Sequence, residues 1–389
     1  MLALRLARGS HPVVLLRRLL VAAASAGVGF LLLCTLGYAI GHPAHAVPSL
    51  LRLLWCLAPL AATVQFAVAV ARTDPSTRPR TGLSAVGLGP LRLAATAAAS
   101  TALSCTLGSM VALLVFLHLR GDLSGLPFDG AATELLAADR PLPLAAVVVL
   151  LAVVPLTASA ASALTLRRRT AEQPTAEAAS AAPTAPPAGL PWGVALTAVG
   201  LAVETYASRS AGAHPALPLP GHPDIAPAGV LAGWVLTALG LALAGPGLVH
   251  LCGFLLQAVR PGAVRLLAGR ALQSEAGRIG RPLGVVCATA SGVLAATALY
   301  APAAATAPSF GPLTALGAAL VLACTTATLL SVALETRQSR APLTQALLRQ
   351  GAPAQALRAA AATRTLALLA LFTPLTWAVA TLAAAPLTA

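Results

Sequence analysis

The chain contains no lysine: all 25 of its basic residues are arginine. A Walker A motif places a lysine on the nucleotide phosphates, so this chain cannot carry a standard nucleotide-hydrolysing P-loop. Lysine Schiff-base chemistry is excluded with it. Aromatic residues are scarce, at 4%. A net charge of +14 would suit nucleic acid, but almost nothing is present to stack on bases, and the arginines sit at the ends of apolar runs; nucleic acid is therefore not an expected partner. Acidic residues number 11 in 389 and form no paired-carboxylate or Ser/His/Asp constellation, so no catalytic residue, metal site or cofactor is expected. No CxxC occurs among the six cysteines. Cys34, Cys56, Cys105, Cys252, Cys287 and Cys324 all fall inside apolar runs and read as small buried hydrophobes.

What is abundant is apolar sequence. Hydrophobic residues make up 58% and charged residues 9%, with a mean hydropathy of +0.84. No soluble domain of this length could solvate such a surface, so the chain reads as an all-α polytopic membrane protein. Nine apolar runs are long enough to cross a bilayer, over about 19–41, 49–71, 93–118, 142–166, 191–207, 228–256, 283–301, 313–334 and 365–385. A secretory signal peptide competes for the first run, with Ala44-His45-Ala46 as its cleavage site, but the apolar stretch is long for one and suits a retained span. Gly245-Pro246-Gly247 predicts a kink in the sixth span. With the N-terminus inside, 21 of the 25 arginines lie on inner segments and four (Arg52, Arg120, Arg140, Arg209) on outer segments or span edges. The positive-inside rule therefore sets a cytoplasmic N-terminus in a plasma membrane, with the lipid bilayer as an obligate partner.

Between the spans the sequence organises into halves. Residues 1–166 hold the first four spans. Residues 167–190, rich in alanine, proline and small polar residues, cannot bury a core and read as a linker. Residues 191–257 form a central two-span unit, and 258–389 a C-terminal half. Two basic segments read as interfacial helices. The first holds Arg5 and Arg8. In the second, Arg270, Gln273, Ser274, Arg278 and Arg281 share one face, and Val264, Leu267, Ala268 and Ala271 lie on the lipid face. The segment 335–364 carries Arg337, Arg340, Arg349, Arg358 and Arg364 between two spans. It reads as a short helix from Pro342 to Gln350, a break at Gly351-Ala352-Pro353, and a second helix entering the membrane. A helix-break-helix of this kind is a suitable knob for a soluble partner, although the positive-inside rule alone would also place arginines there. A weaker echo runs from Gly82 through Gly87 and Pro90 to Arg92. The start of each half also matches: Leu2-Ala-Leu-Arg5-Leu-Ala-Arg8 resembles Leu266-Leu-Ala-Gly-Arg270-Ala-Leu, and Arg17-Arg-Leu-Leu-Val resembles Arg281-Pro-Leu-Gly-Val. Both copies start inside, giving two tandem parallel half-repeats.

This layout resembles the FtsX-like (MacB-type) permease subunits of ABC transporters. The likeness rests on Leu348-Arg-Gln-Gly351-Ala-Pro353-Ala-Gln-Ala-Leu-Arg358, on the weaker copy Val86-Gly87-Leu-Gly-Pro90-Leu-Arg92, and on the two interfacial helices. It covers nearly the whole chain in layout through short, degenerate motifs. Positions 42–48 and 302–312, where family members carry sizeable extracytoplasmic domains, are bare turns, so the chain resembles a reduced member. The resemblance implies a non-catalytic permease paired with a separate ATP-binding cassette subunit. That subunit would dock at the elbows through Gly87, Pro90, Arg92, Arg349, Gly351, Pro353 and Arg358. A second copy of this chain is a further candidate partner. The functions to be distinguished are ATP-driven export or mechanotransmission, an ATP-independent secondary carrier, and a non-transporting scaffold or sensor.

Two polar residues stand out inside spans. Intramembrane ionisable groups are functional candidates by default. Glu204 lies near the outer end of the fifth span; the alternative is that it sits at the interface beside Tyr206 and Arg209. His250 in the sixth span suits a proton relay or, more simply, a hydrogen bond to a neighbouring helix. Gln65 in the second span is expected to make an interhelical hydrogen bond.

Overall fold

The computed structural model describes residues 12–44, 46–73, 90–123, 130, 132–133, 136–171, 189–209, 216–219, 222–258, 262–300 and 311–388. The expectations for Arg5, Arg8 and Gly87, and for the linker from 172 to 188, lie outside them. Among the described residues, nine spans are long and apolar enough to cross a bilayer, and the chain is an all-α polytopic membrane protein. The helices are α1 (Pro12–Gly41), α2 (Ala46–Trp55), α3 (Leu57–Thr73), α4 (Pro90–Arg120), α5 (Leu144–Ala171), α6 (Gly189–Arg209), α7 (Ala228–Gln257), α8 (Ala263–Tyr300), α9 (Pro312–Arg349) and α10 (Ala354–Thr388). Helices α2 and α3 together form one span. Their break at Cys56 has a local cause: Pro59 has no N–H to give the Trp55 carbonyl.

Two of these elements depart from the expected boundaries. The basic segment 263–282 and the span after it form one helix, α8, of 38 residues. The stretch from Pro342 is likewise not a separate short helix; it continues the preceding span as α9, also 38 residues, with Pro342 inside it. Pro246, where a kink is expected, lies inside α7. Interior prolines are tolerated in membrane helices because packed neighbours and local adjustments serve the freed carbonyl. Between α6 and α7, β1 (Ala216–Leu219) and β2 (His222–Pro227) form an antiparallel hairpin with an irregularity between Leu217 and Leu219.

The chain divides into two compact units. The first comprises Met1–Thr175 and Pro312–Cys324. Its centre is apolar: Val28, Leu33, Phe116 and Val154 are fully buried. Hydroxyl groups cross between its helices. Ser25 donates to the Cys105 carbonyl at 2.9 Å, joining α1 to α4, and Ser109 donates to the Leu151 carbonyl at 3.1 Å, joining α4 to α5. Thr63 on α3 meets the Cys324 sulfur at 3.6 Å. This contact takes the place expected for Gln65, whose side chain is exposed on the outside of α3. At the start of α1, the Arg17 guanidinium donates to Thr73 Oγ1 at 2.9 Å. All six cysteines are buried and none is in a disulfide.

The second unit comprises Ala176–Gly311 and Thr325–Ala389. Helix α7 is its middle layer, with α6 on one side and α8 on the other; α10 covers α8. Both faces of α7 are lined by small residues. Toward α6, Gly233, Thr237, Gly240 and Ala244 meet Glu204, Gly200, Thr197 and Gly193 in antiparallel order. Toward α8, Gly245 and Gly253 lie against the carbonyls of Gly280 and Gly269. Backbones therefore touch backbones. Of the face expected to lie in lipid, Ala268 is buried, on the side that packs on α7 with Leu272 and Ala276, while Leu267 is exposed. Arg270, Arg278 and Arg281 remain exposed on the other side.

Helix association in lipid depends on such close approach, because lipid tails are as apolar as leucine. A Cβ at Gly240 would lie 2.8 Å from the Gly193 carbonyl oxygen, whereas one at Gly292 would meet nothing within 4 Å. Gly240→Leu should lower stability by about 1–3 kcal/mol through overpacking. Gly292→Ala should be neutral or slightly stabilising, by at most about 1 kcal/mol of helix propensity. Thermal unfolding of the two variants in detergent checks both.

Candidate functional site

Three polar features rise above the apolar background. The first is the elbow between α9 and α10. Helix α9 ends at Arg349, and the chain turns at Gly351, whose φ of +89° is open to glycine at little cost. The Gly351 amide donates to the Leu348 carbonyl at 3.1 Å, and the Ala352 amide donates to the Leu347 carbonyl at 3.0 Å. This pair of bonds satisfies the last carbonyls of a helix and stops it sharply. Pro353 follows, and its carbonyl accepts from Ala356 and Leu357 to open α10. Arg349, Gly351, Pro353 and Arg358 are all exposed. The elbow is thus a rigid turn that presents two arginines, one on each arm. Of the weaker upstream elbow, Pro90 opens α4 and Arg92 is exposed in its first turn.

The second feature is an ion pair beside that elbow. Arg340 of α9 pairs with Glu275 of α8 through Nε and Oε1. The same guanidinium donates from Nη2 to the Ala271 carbonyl at 3.2 Å. Both side chains are largely covered, at 24% and 13% exposure, so the pair is worth more than one free in water. Sequence reasoning counted Arg340 as an elbow arginine and passed over Glu275. A signal was present: Glu275 is the one acid in a segment with Arg265, Arg270, Arg278 and Arg281. An acid that interrupts a basic face has a basic partner to find.

The third feature is Glu204. It is not at the surface beside Tyr206: Tyr206 is 75% exposed and Glu204 is 0% exposed. The carboxyl lies between α6 and α7 over Gly233. Thr237 Oγ1 donates to its Oε1 at 3.2 Å, while Oε2 has no hydrogen-bond partner. His250 is half-buried in α7 and makes no hydrogen bond to another described residue, so the expected interhelical bond is not formed. Glu204 and His250 sit toward opposite ends of the α6–α7 pair and do not form one site.

Three of the four arginines assigned to the outer side have partners of their own. Arg52 lies over the Tyr38 ring at 3.5 Å, and Tyr38 stacks on His42. Arg120 is buried; its Nε lies 3.3 Å from Asp122 Oδ2, and it donates to the Arg140 carbonyl. Arg140 lies 4.0 Å from Asp139. The helix end at Arg120 repeats the elbow's geometry, with Gly121 at φ +94° and the Asp122 amide donating to the Leu117 carbonyl.

The ion pair makes a direct prediction. Glu275→Gln or Arg340→Gln alone should cost about 1.5–3 kcal/mol, the range for a hydrogen bond to a charged group. The exchange Glu275→Arg with Arg340→Glu should recover most of that loss. Thermal midpoints of the singles and the exchange test this. At the turn, Gly351→Ala should strain the positive φ by about 1 kcal/mol and raise amide hydrogen exchange across 347–353. No protein-family model matches this chain, and no curated protein or solved structure is similar to it.

Proposed function

We propose that this polytopic membrane protein is the permease subunit of an ABC-type transporter, of the FtsX-like (MacB-type) kind. The observation that carries the reading is the α9–α10 elbow. It is exposed, stopped sharply by its glycine, and armed with Arg349 and Arg358. A docking knob must hold its shape before the partner arrives, because ordering a loop at the moment of binding reduces affinity. The turn hydrogen bonds at Leu347 and Leu348 supply that order. Arginine at both arms suits acidic or carbonyl groups on a soluble partner.

The energy source is then a separate subunit, since a chain without lysine has no P-loop of its own. The arginine distribution supports a cytoplasmic position for the elbows and the N-terminus, where ATP is. Hydrolysis by the partner would draw the two elbows together and move the tandem halves, exporting a substrate or transmitting force. An ATP-independent carrier is the second reading. It is favoured by one observation: Glu204 is a fully buried carboxyl within a span.

Purification of the tagged chain from its native membrane in mild detergent separates the two. We expect a P-loop ATPase to co-purify in stoichiometric amount. Arg349→Glu combined with Arg358→Glu should remove it, while the variant still inserts and unfolds at the parent temperature. A chain that purifies without an ATPase, or an ATPase that stays bound to the double variant, overturns the docking role of the elbow.

A further inference from the structure

Helices α6 and α7 meet in two similar layers. In one, Gly193 and Thr197 face Gly240 and Ala244; in the other, Gly200 and Glu204 face Gly233 and Thr237. Each layer seats a polar side chain of α6 over a glycine of α7. The two outcomes differ. Thr197 satisfies itself, donating to its own Gly193 carbonyl at 2.8 Å. Glu204 accepts one hydrogen bond from Thr237 and leaves Oε2 bare. A bare buried carboxyl oxygen costs free energy that an apolar side chain would not. Ala207, the next position along the same face, packs on Gly229 with no polar atom at all. Packing alone therefore does not call for an acid at 204.

The surroundings select what the acid can bind. Among the described residues, the seat offers two carboxyl oxygens and the Thr237 hydroxyl. Among the described residues, no group of three His, Cys, Asp or Glu side chains that could hold a metal ion forms, whereas a proton needs one oxygen. No described ionisable side chain faces the group. Helix α7 brings Gly233 and Thr237, and α10 meets this end of α6 through Ala383 and Ala384 against Leu201. On α6 itself, the neighbouring Tyr206 and Arg209 are exposed. Depth is not what isolates the carboxyl. Glu204 is five residues from the end of α6 at Arg209, about 7.5 Å along the axis at 1.5 Å per residue. The contact with α7 shuts it off, and that contact ends just beyond it, at the β1–β2 hairpin.

We propose that Glu204 is a proton-binding site, taking a proton from water and returning it as the hairpin ends of α6 and α7 part and close. The transfer makes and breaks one O–H bond on the carboxyl, with water at the hairpin end as the other partner. The site does not depend on the ATPase reading, and either stands if the other falls.

Infrared difference spectroscopy tests it on the full-length chain in lipid nanodiscs. Spectra are compared between about pH 5 and about pH 9, a window that brackets carboxyl titration in most protein settings. The parent protein should show a protonated-carboxyl C=O band that Glu204→Gln removes. Thr237→Val keeps the acid and deletes its one donor, so it should shift the frequency of that band. Parent and Glu204→Gln difference spectra that coincide across the window would overturn the proposal, because the group would then never change protonation. If Glu204→Gln does not fold, a band whose frequency is unmoved in Thr237→Val overturns it equally.

Discussion

Backbone contact across α7 is the constraint on which the second unit depends. In water, a helix pair is driven together by apolar surface leaving solvent; within a bilayer that drive is absent, because lipid is as apolar as the side chains. What remains is dispersion at short range and a few hydrogen bonds. Dispersion falls steeply with distance, so glycine matters for what it leaves out. At Gly200 and Gly233, each helix approaches until a missing Cβ is all that separates them. The first unit solves the same problem with hydroxyls, through Ser25 on Cys105 and Ser109 on Leu151.

This packing explains how a carboxyl can be placed and held. Glu204 cannot sample rotamers freely between two helices whose backbones touch, and Thr237 is itself fixed by lying over Gly200. The same rigidity runs through α7 to α8, where Gly245 and Gly253 meet carbonyls on the far side. From α8 the Glu275–Arg340 ion pair reaches α9, and α9 ends in the elbow. Buried carboxyl, layered helices, ion pair and elbow thus belong to one unit.

The spans were legible in the sequence because hydropathy integrates over some twenty residues and is insensitive to any one of them. Helix ends were legible where a glycine marks a stop, as at Gly351. Boundaries set by competition were not. Pro342 and the arginines before it suggested a break, but neighbouring turns carried the helix through, and α9 runs on to Arg349. The segment 263–282 has an apolar face and a basic face, which sequence alone reads as a helix lying on a membrane surface. A protein neighbour can also cover one side of such a helix, and here α7 covers the side of Ala268, Leu272 and Ala276. Glu204 was visible as a residue, but its partner was not: pairing with Thr237 depends on the register of two antiparallel helices. Glu275 was missed because nearby arginines drew attention to the sign of the face instead of to its exception. The β1–β2 hairpin was hidden by its prolines, which argue against strands in general yet are accommodated at a two-stranded edge.

The length of α9 has a mechanical meaning. Thirty-eight residues extend about 57 Å at 1.5 Å each, against a hydrocarbon core of about 30 Å. Helix α8 is equally long. Each rod is therefore about 25 Å longer than the hydrocarbon needs, and the Glu275–Arg340 pair braces two such rods side by side. A load applied at the elbow would act at the far end of a helix that runs on through Pro342 into the apolar span. Such a load would reach the bilayer as torque, and a small push at the far end would become a tilt of the apolar part.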